Sequence, residues 1–275
     1  MKVVADSLDV FNAINLVKMN SKRTRTNFTV NLNKLALWIS KKELTLIEYE
    51  GAMLLFRKNA DFYYMYFFVN EDTDFSFLEN INFVRRNVVV VDLLGKSPDL
   101  DDLGKEFAAE GFDEHLHLQR MFKINSSLNS NLYADRPMMN NIKVATEIDG
   151  QTISEILNNN FDKYGEQIPN LNEIYQEIDN GNILLYKSNY KILGLLYFNN
   201  IGQTSILRYW IVIDKYQNEG IGGKLIKFYF QMCQNIRRFI VWVVSDNINA
   251  INKYEHYGYK LDGLYDKVLI QRGVT

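Results

Sequence analysis

At 275 residues the chain is long for one ordinary domain and comfortable for two. Its 47% hydrophobic and 23% charged content is that of a folded chain and excludes general disorder. A formal charge of −2 gives no electrostatic reason to expect nucleic acid or an anionic membrane as a partner.

The chain opens with polar, helical material in which Ile14, Leu16 and Val17 are set among Asn and Lys. Strands are predicted over 44–49, 52–57 and 62–69, and 87–94 reads as a strand buried on both faces. A helix over 99–110 ends at Gly111 as a C-cap, and a strand runs from His115 to Phe122. Residues 125–141 are rich in Asn and Ser, carry Pro137 and lack apolar periodicity; they read as a linker between domains at 1–124 and 142–275. Beyond the linker the pattern gives a strand at 142–148, helices at 151–163 and 170–179, and strands at 183–187, 191–198 and 204–213. A helix to about 235, a strand at 238–244, a helix at 247–257 and strands at 259–262 and 265–271 complete it. Antiparallel strands followed by a strand–helix–strand crossover indicate a mixed α/β sheet.

Two features divide and relate the halves. Of fifteen glycines, four precede residue 125 and eleven follow residue 149. Yet Glu110-Gly111-Phe112 and Tyr257-Gly258-Tyr259 each run helix, Gly-aromatic, strand, which suggests an internal duplication whose first copy has lost its glycine turn.

The single Cys233 excludes an intrachain disulfide framework, fits a reducing compartment, and reads as a small buried apolar residue on a helix. There is no signal-peptide pattern and no apolar run near the roughly 20 residues needed to span a bilayer, so the expected location is cytoplasmic. The basic clusters Lys22, Arg23, Arg25 and Arg237, Arg238 read as solvated faces. His115 and His117 share one strand face without further ligands nearby, and His256 reads as a surface residue; no metal is expected.

The stretch Gln217-Asn218-Glu219-Gly220-Ile221-Gly222-Gly223-Lys224 joins a strand to a helix marked by Ile221, Leu225, Phe228 and Met232. Such a turn aims backbone N–H groups at the positive end of a helix dipole, an arrangement that binds phosphate. A P-loop would need Ser or Thr where Leu225 stands, and a dinucleotide fold would place its glycines near the start of a parallel sheet. Neither pattern fits.

Gln217-x-x-Gly220-x-Gly222 after a strand resembles the acyl-CoA pyrophosphate loop of the GNAT N-acetyltransferases. Asn247-x-x-Ala250-x-x-x-Tyr254-x-x-x-Gly258-Tyr259 is similar to that family's second motif, at the family's spacing. The resemblance covers 142–275 and extends weakly to 1–124. It implies a mixed, mainly antiparallel twisted sheet with flanking helices, with acetyl-CoA as acyl donor. Trp210 to Ile213 would lie along the pantetheine arm, with the amides of Ile211 and Ile213 as contacts and Val212 between them. Gln217 to Gly222, with Gly223 and Lys224, would hold the pyrophosphate, and Asn247 and Ala250 would meet the CoA arm. Tyr254 corresponds to the family's general acid, or is a packed aromatic that orders the CoA sulfur.

The implied reaction is direct transfer to an amine, small-molecule or peptide, in a monomer or homodimer. Its base is not legible: Arg208 and Tyr209 stand where some members place an acid, and with Glu173 they are the expected substrate contacts. Glu166, Glu173 and Glu177 fall in the region expected to wall the acceptor site, Asp214 follows the strand, and each also reads as a solvated charge. Arg208 either binds a substrate carboxylate or forms an internal ion pair. The alternatives are an acyl-CoA-binding sensor or scaffold without transfer, and transfer of a longer acyl group.

Overall fold

The computed structural model describes residues 1–19, 22–30, 32–125 and 141–273, so the expected linker at 125–141 lies outside the described residues except for its two ends. The chain forms two compact units, Met1–Leu118 with the chain end from Leu264, and Gln119–Gly263.

The first unit contains β1 (Lys2–Val3), α1 (Ser7–Met19), β2 (Thr24–Thr26), α2 (Leu32–Ser40), β3 (Leu44–Tyr49), β4 (Ala52–Asn59) and β5 (Phe62–Asn70). A short α3 (Asn82–Arg86), β6 (Val89–Gly95), α4 (Asp99–Ala109) and β7 (Asp113–Ile124) follow. The second unit contains β8 (Ile142–Val144), α5 (Gly150–Asn160), α6 (Leu171–Asp179), β9 (Ile183–Ser188), β10 (Lys191–Ile201) and β11 (Thr204–Val212). It continues with α7 (Ile221–Met232), β12 (Arg238–Val244), α8 (Ile248–His256) and β13 (Lys260–Gln271).

β7 and β13 each leave one unit and end in the other. In the first unit the strand order is β1-β3-β4-β5-β6-β13, with β13 antiparallel to β6 from Tyr265↔Gly95 to Gln271↔Val89. In the second it is β8-β9-β10-β11-β12-β7. Each unit thus completes its sheet with a strand from the other side of the linker, and the division differs from the sequence-order boundaries at 124 and 142. The two strands expected at 259–262 and 265–271 are likewise one. Gly263, at φ +74°, takes up a left-handed kink inside β13 instead of ending it.

The repeated helix endings are structural. Gly111 and Gly258 sit at φ +82° and +85°. The N–H groups of the buried Phe112 and Tyr259 reach back to the carbonyls of Phe107 (3.2 Å) and Tyr254 (3.1 Å). Both are Schellman-type closures, in which the left-handed position favours glycine and the next residue turns into the core.

In the second unit both sheet faces are covered. Leu196, Phe198, Leu225, Tyr229 and Phe239 pack on the α7 side. Ile153, Leu157, Ile174, Leu185 and Leu195 pack on the α5–α6 side. Burying each such side chain contributes about 1.5–3 kcal/mol. Gly194 of β10 lets α7 approach the sheet: an added Cβ would lie 3.0 Å from Ile221 Cγ2, 3.1 Å from Leu225 Cδ1 and 3.2 Å from Ile211 O. The carbonyl cannot move without breaking the β10–β11 ladder, so the helix must shift. Gly194→Ala is expected to cost about 1–3 kcal/mol by overpacking, read as a lower denaturant midpoint at unchanged m-value.

Candidate active site

β11 and β12 run parallel but pair only from Thr204↔Arg238 to Leu207↔Val241. Both strands continue, to Val212 and Val244, so they part beyond Leu207. On its other edge β11 stays paired with β10 as far as Val212↔Gly194. Arg208 falls between the partner pairs Tyr197↔Tyr209 and Phe198↔Leu207, which makes it a bulged residue at the point where the strands separate.

The hydrogen-bond alternation of an antiparallel pair decides which main-chain groups face the opening. Ile213 N–H donates to Leu193 O at 3.0 Å, so the polar groups of Ile213, and by the two-residue repeat those of Ile211, face β10. Those of Trp210 and Val212 face the opening. This corrects the expected contacts: the Ile211 and Ile213 amides are committed to the sheet, and Val212 with Trp210 presents the accessible donors.

Past Ile213 the chain turns through Asp214–Tyr216 into the glycine loop. Asn218 and Gly220 adopt left-handed φ of +67° and +72°, reversing the chain before α7. The first helical bond runs from Lys224 N–H to Gly220 O, which leaves the N–H groups of Ile221, Gly222 and Gly223 ahead of the ladder at the positive helix end. Gly222 lies against Trp210, where an added Cβ would stand 3.3 Å from Cζ2 and 3.4 Å from Nε1. That buried indole N–H has no acceptor among the described residues. Orphan donors at a helix N-terminus, next to main-chain groups with no sheet partner, fit a ligand with a diphosphate and an amide-bearing arm.

On α8, Asn247 caps the helix, its Oδ1 accepting the Ala250 N–H at 3.0 Å. Ala250 and Tyr254 pack against the core on the α7 side. The half-buried Tyr254 ring stands 5.7 Å from Trp210 and 5.7 Å from Tyr259. Burial pushes its phenol well above the ordinary range, and the Glu166 carboxylate acts in the same direction. Tyr254 therefore holds its proton at neutral pH.

On the opposite sheet face the expected acceptor residues have other duties. Glu173 is buried and closes a capping box, its Oε2 accepting the Asn170 N–H at 2.9 Å while Asn170 Oδ1 accepts the Glu173 N–H at 3.1 Å. Tyr209 is fully enclosed, its pKa pushed up to about 12 by burial. Its hydroxyl donates to the carbonyls of Glu166 (2.8 Å) and Gln167 (2.9 Å), tying the α5–α6 loop to β11. Glu173 and Tyr209 are thus structural supports for the loop, a correction to their expected substrate contacts. Arg208 is half-buried beside the Tyr209 ring at 5.7 Å. Asp214 is exposed and accepts from the Gln217 side chain at 2.7 Å.

Glu166 emerges from this arrangement. The turn that carries it is set by Asp162, whose Oδ1 accepts the N–H groups of Tyr164 and Gly165. Glu166 Oε2 in turn accepts the Asp162 N–H at 2.7 Å. Burial raises the Glu166 carboxyl above its usual range, against the Asp162 N–H and Arg208, which lower it. The Glu166 carboxylate is felt electrostatically by the Tyr254 phenol, and the two are chemically a group that can accept a proton and one that can donate it. Among the described residues no group of His, Cys, Asp and Glu is placed to hold a metal ion, and no helix is long and apolar enough to cross a membrane.

A parallel pair that parts at a bulge, a glycine turn into a helix, and an antiparallel sheet before it define the acyl-CoA N-acyltransferase type of fold. Residues 151–259 match the acetyltransferase (GNAT) family model. The fold is shared along the chain with a Drosophila protein (TM-score 0.58, 11% identity, 96% of this chain and 90% of that one). It is shared also with a GCN5-related N-acetyltransferase from Sphaerobacter thermophilus (TM-score 0.57, 13% identity, 90% and 88%). A tandem GNAT protein of the clavulanic acid biosynthesis pathway is similar as well (TM-score 0.54, 9% identity, 82% and 79%). No curated protein matches the sequence.

Proposed function

We propose that the second unit transfers an acetyl group from acetyl-CoA to a primary amine by direct attack. The observation that carries this reading is the opening past Leu207, flanked by Trp210 and Val212 main-chain groups and leading to the free N–H groups of Ile221 to Gly223. Acetyl-CoA supplies an activated thioester. Ile221, Gly222 and Gly223 hold its pyrophosphate, the Val212 main chain and Asn247 hold its arm, and the Trp210 N–H stabilises negative charge developing on the carbonyl oxygen. Glu166 accepts the proton of the attacking amine, and the Tyr254 hydroxyl delivers one to the departing sulfur. Arg208, Glu173 and Tyr209 shape the acceptor side without entering the chemistry.

Calorimetry with acetyl-CoA, followed by thiol release over a panel of small and peptide amines, tests the reading. Tyr254→Phe is expected to lower kcat by about 10²–10⁴ while acetyl-CoA affinity stays within a few-fold. No heat at millimolar acetyl-CoA would sink the function, and equal turnover in Tyr254→Phe would remove the general-acid role.

A further inference from the structure

The first unit repeats the parallel pair but not the opening. β5 and β6 pair only at Tyr63↔Val89 and Tyr64↔Val90, then continue to Asn70 and Gly95. Here the chain itself lies alongside: β2 pairs antiparallel with β5 through Thr24↔Asn70, Arg25↔Val69 and Thr26↔Phe68. Asn27, 6% exposed, spans the gap. Its Nδ2 donates to Met65 O and Asp92 O, both at 3.0 Å, and its Oδ1 accepts the Phe67 N–H at 2.7 Å. Thr26 Oγ1 donates to Phe67 O at 2.6 Å, and Arg23 O accepts the Glu71 N–H at 3.1 Å. The two-residue repeat from Phe67 to Glu71 turns the Val69 N–H the same way. Arg25 anchors the segment through Glu106 at 2.7 Å and the Phe75 ring at 5.2 Å.

We propose that Arg23–Asn27 is a built-in strap that takes, in the first unit, the place an acyl-CoA arm would take, so that this unit is a sealed copy and the chain binds one acyl-CoA. The ligand named in this comparison rests on the function proposed above; the strap itself rests on the first unit alone. Two independent features agree. The loop after β5 carries Glu71, Asp72 and Asp74 and leads to a five-residue α3, so it offers a phosphate acidic side chains in place of a glycine-led helix end. Phe107, in the repeated helix ending, stands where the second unit has Tyr254, and carries no proton to donate.

The test is amide exchange of the full chain by NMR, free and with saturating acetyl-CoA, together with calorimetric stoichiometry. In the free protein the Phe67 and Val69 amides are expected to exchange at least about a hundredfold more slowly than those of Trp210 and Val212. Acetyl-CoA should slow only the latter pair and titrate to one equivalent. Exchange at Phe67 and Val69 as fast as at Trp210 and Val212, further slowing there with acetyl-CoA, or a second equivalent bound would each overturn the strap. Protected Phe67 and Val69 with no response at Trp210 and Val212 would uphold the strap and sink the acetyl-CoA reading.

Discussion

Replacing Gly222 by Asp is expected to weaken acetyl-CoA binding by about two to three orders of magnitude, with the melting temperature of the free protein changed by only a few degrees. The effects on the two states have different origins. In the bound state proposed above, the pyrophosphate is met by N–H groups of Ile221 to Gly223, and charge-assisted hydrogen bonds of this kind contribute about 1.5–3 kcal/mol each. A carboxylate beside them repels the ligand and competes for the same donors, so a loss of about 3–4 kcal/mol is a modest expectation. In the free state the new side chain sits in the first turn of α7, where a negative charge is favourable by about 0.3–1 kcal/mol. Against that stands the added Cβ, 3.3 Å from the Trp210 ring, which must yield by a few tenths of an ångström. These terms oppose one another and leave stability nearly unchanged. Gly222→Ala separates space from charge: it keeps the crowding but not the repulsion, and should lose much less affinity. Calorimetry with acetyl-CoA and a thermal melt of each variant check this. An aspartate variant that binds like the wild type would show that the pyrophosphate is held elsewhere.

What could be read from the chain was local. The glycine turn and the start of α7 were legible because a left-handed residue, a short donor-rich loop and an i, i+3, i+4 apolar stripe all lie within one stretch. The Asn247–Tyr254 helix was legible for the same reason, with its cap in sequence. What depended on distant partners was not. The bulge at Arg208 exists only through its mismatch with β10, and it decides which of Trp210, Ile211, Val212 and Ile213 face the opening. β13 reads as two strands because Asp262-Gly263 looks like a turn, yet its two parts belong to different units. Glu173 had a readable signal, since Asn170-x-x-Glu173 is a capping-box pattern. Glu166 could be read only as one of three glutamates in the expected acceptor region; its burial, and the Tyr209 hydroxyl on its carbonyl from more than forty positions away, could not. β2 is three residues long and polar, too short to register as a strand without the β5 edge it covers.

Glu166→Gln should separate catalysis from stability more sharply than any other substitution here. As the proposed base, Glu166 must be ionised, so turnover falls as pH falls through a pKa that burial has raised above the usual carboxylate range. The glutamine variant should lose about 10²–10⁴ in kcat, and its residual rate should no longer show that acid limb. Acetyl-CoA affinity should stay within a few-fold, since the proposed reading places this side chain toward the acceptor and away from the glycine loop. Gln keeps an oxygen to accept the Asp162 N–H, so the turn is retained. The stability effect has the opposite sign. A carboxyl whose folded-state pKa lies above its unfolded value favours the fold while protonated, and that contribution is lost as pH rises through the folded pKa. At neutral pH the wild type therefore holds a desolvated charge that the variant does not, and the variant should melt at an equal or higher temperature. The gap should widen as pH rises from the ordinary carboxylate range through the raised pKa, then level off. Pre-steady-state thiol release and melting curves across that range measure both effects. A variant with undiminished kcat and the same acid limb would exclude Glu166 as the base, and one that melts lower as pH rises would show that its charge supports the fold.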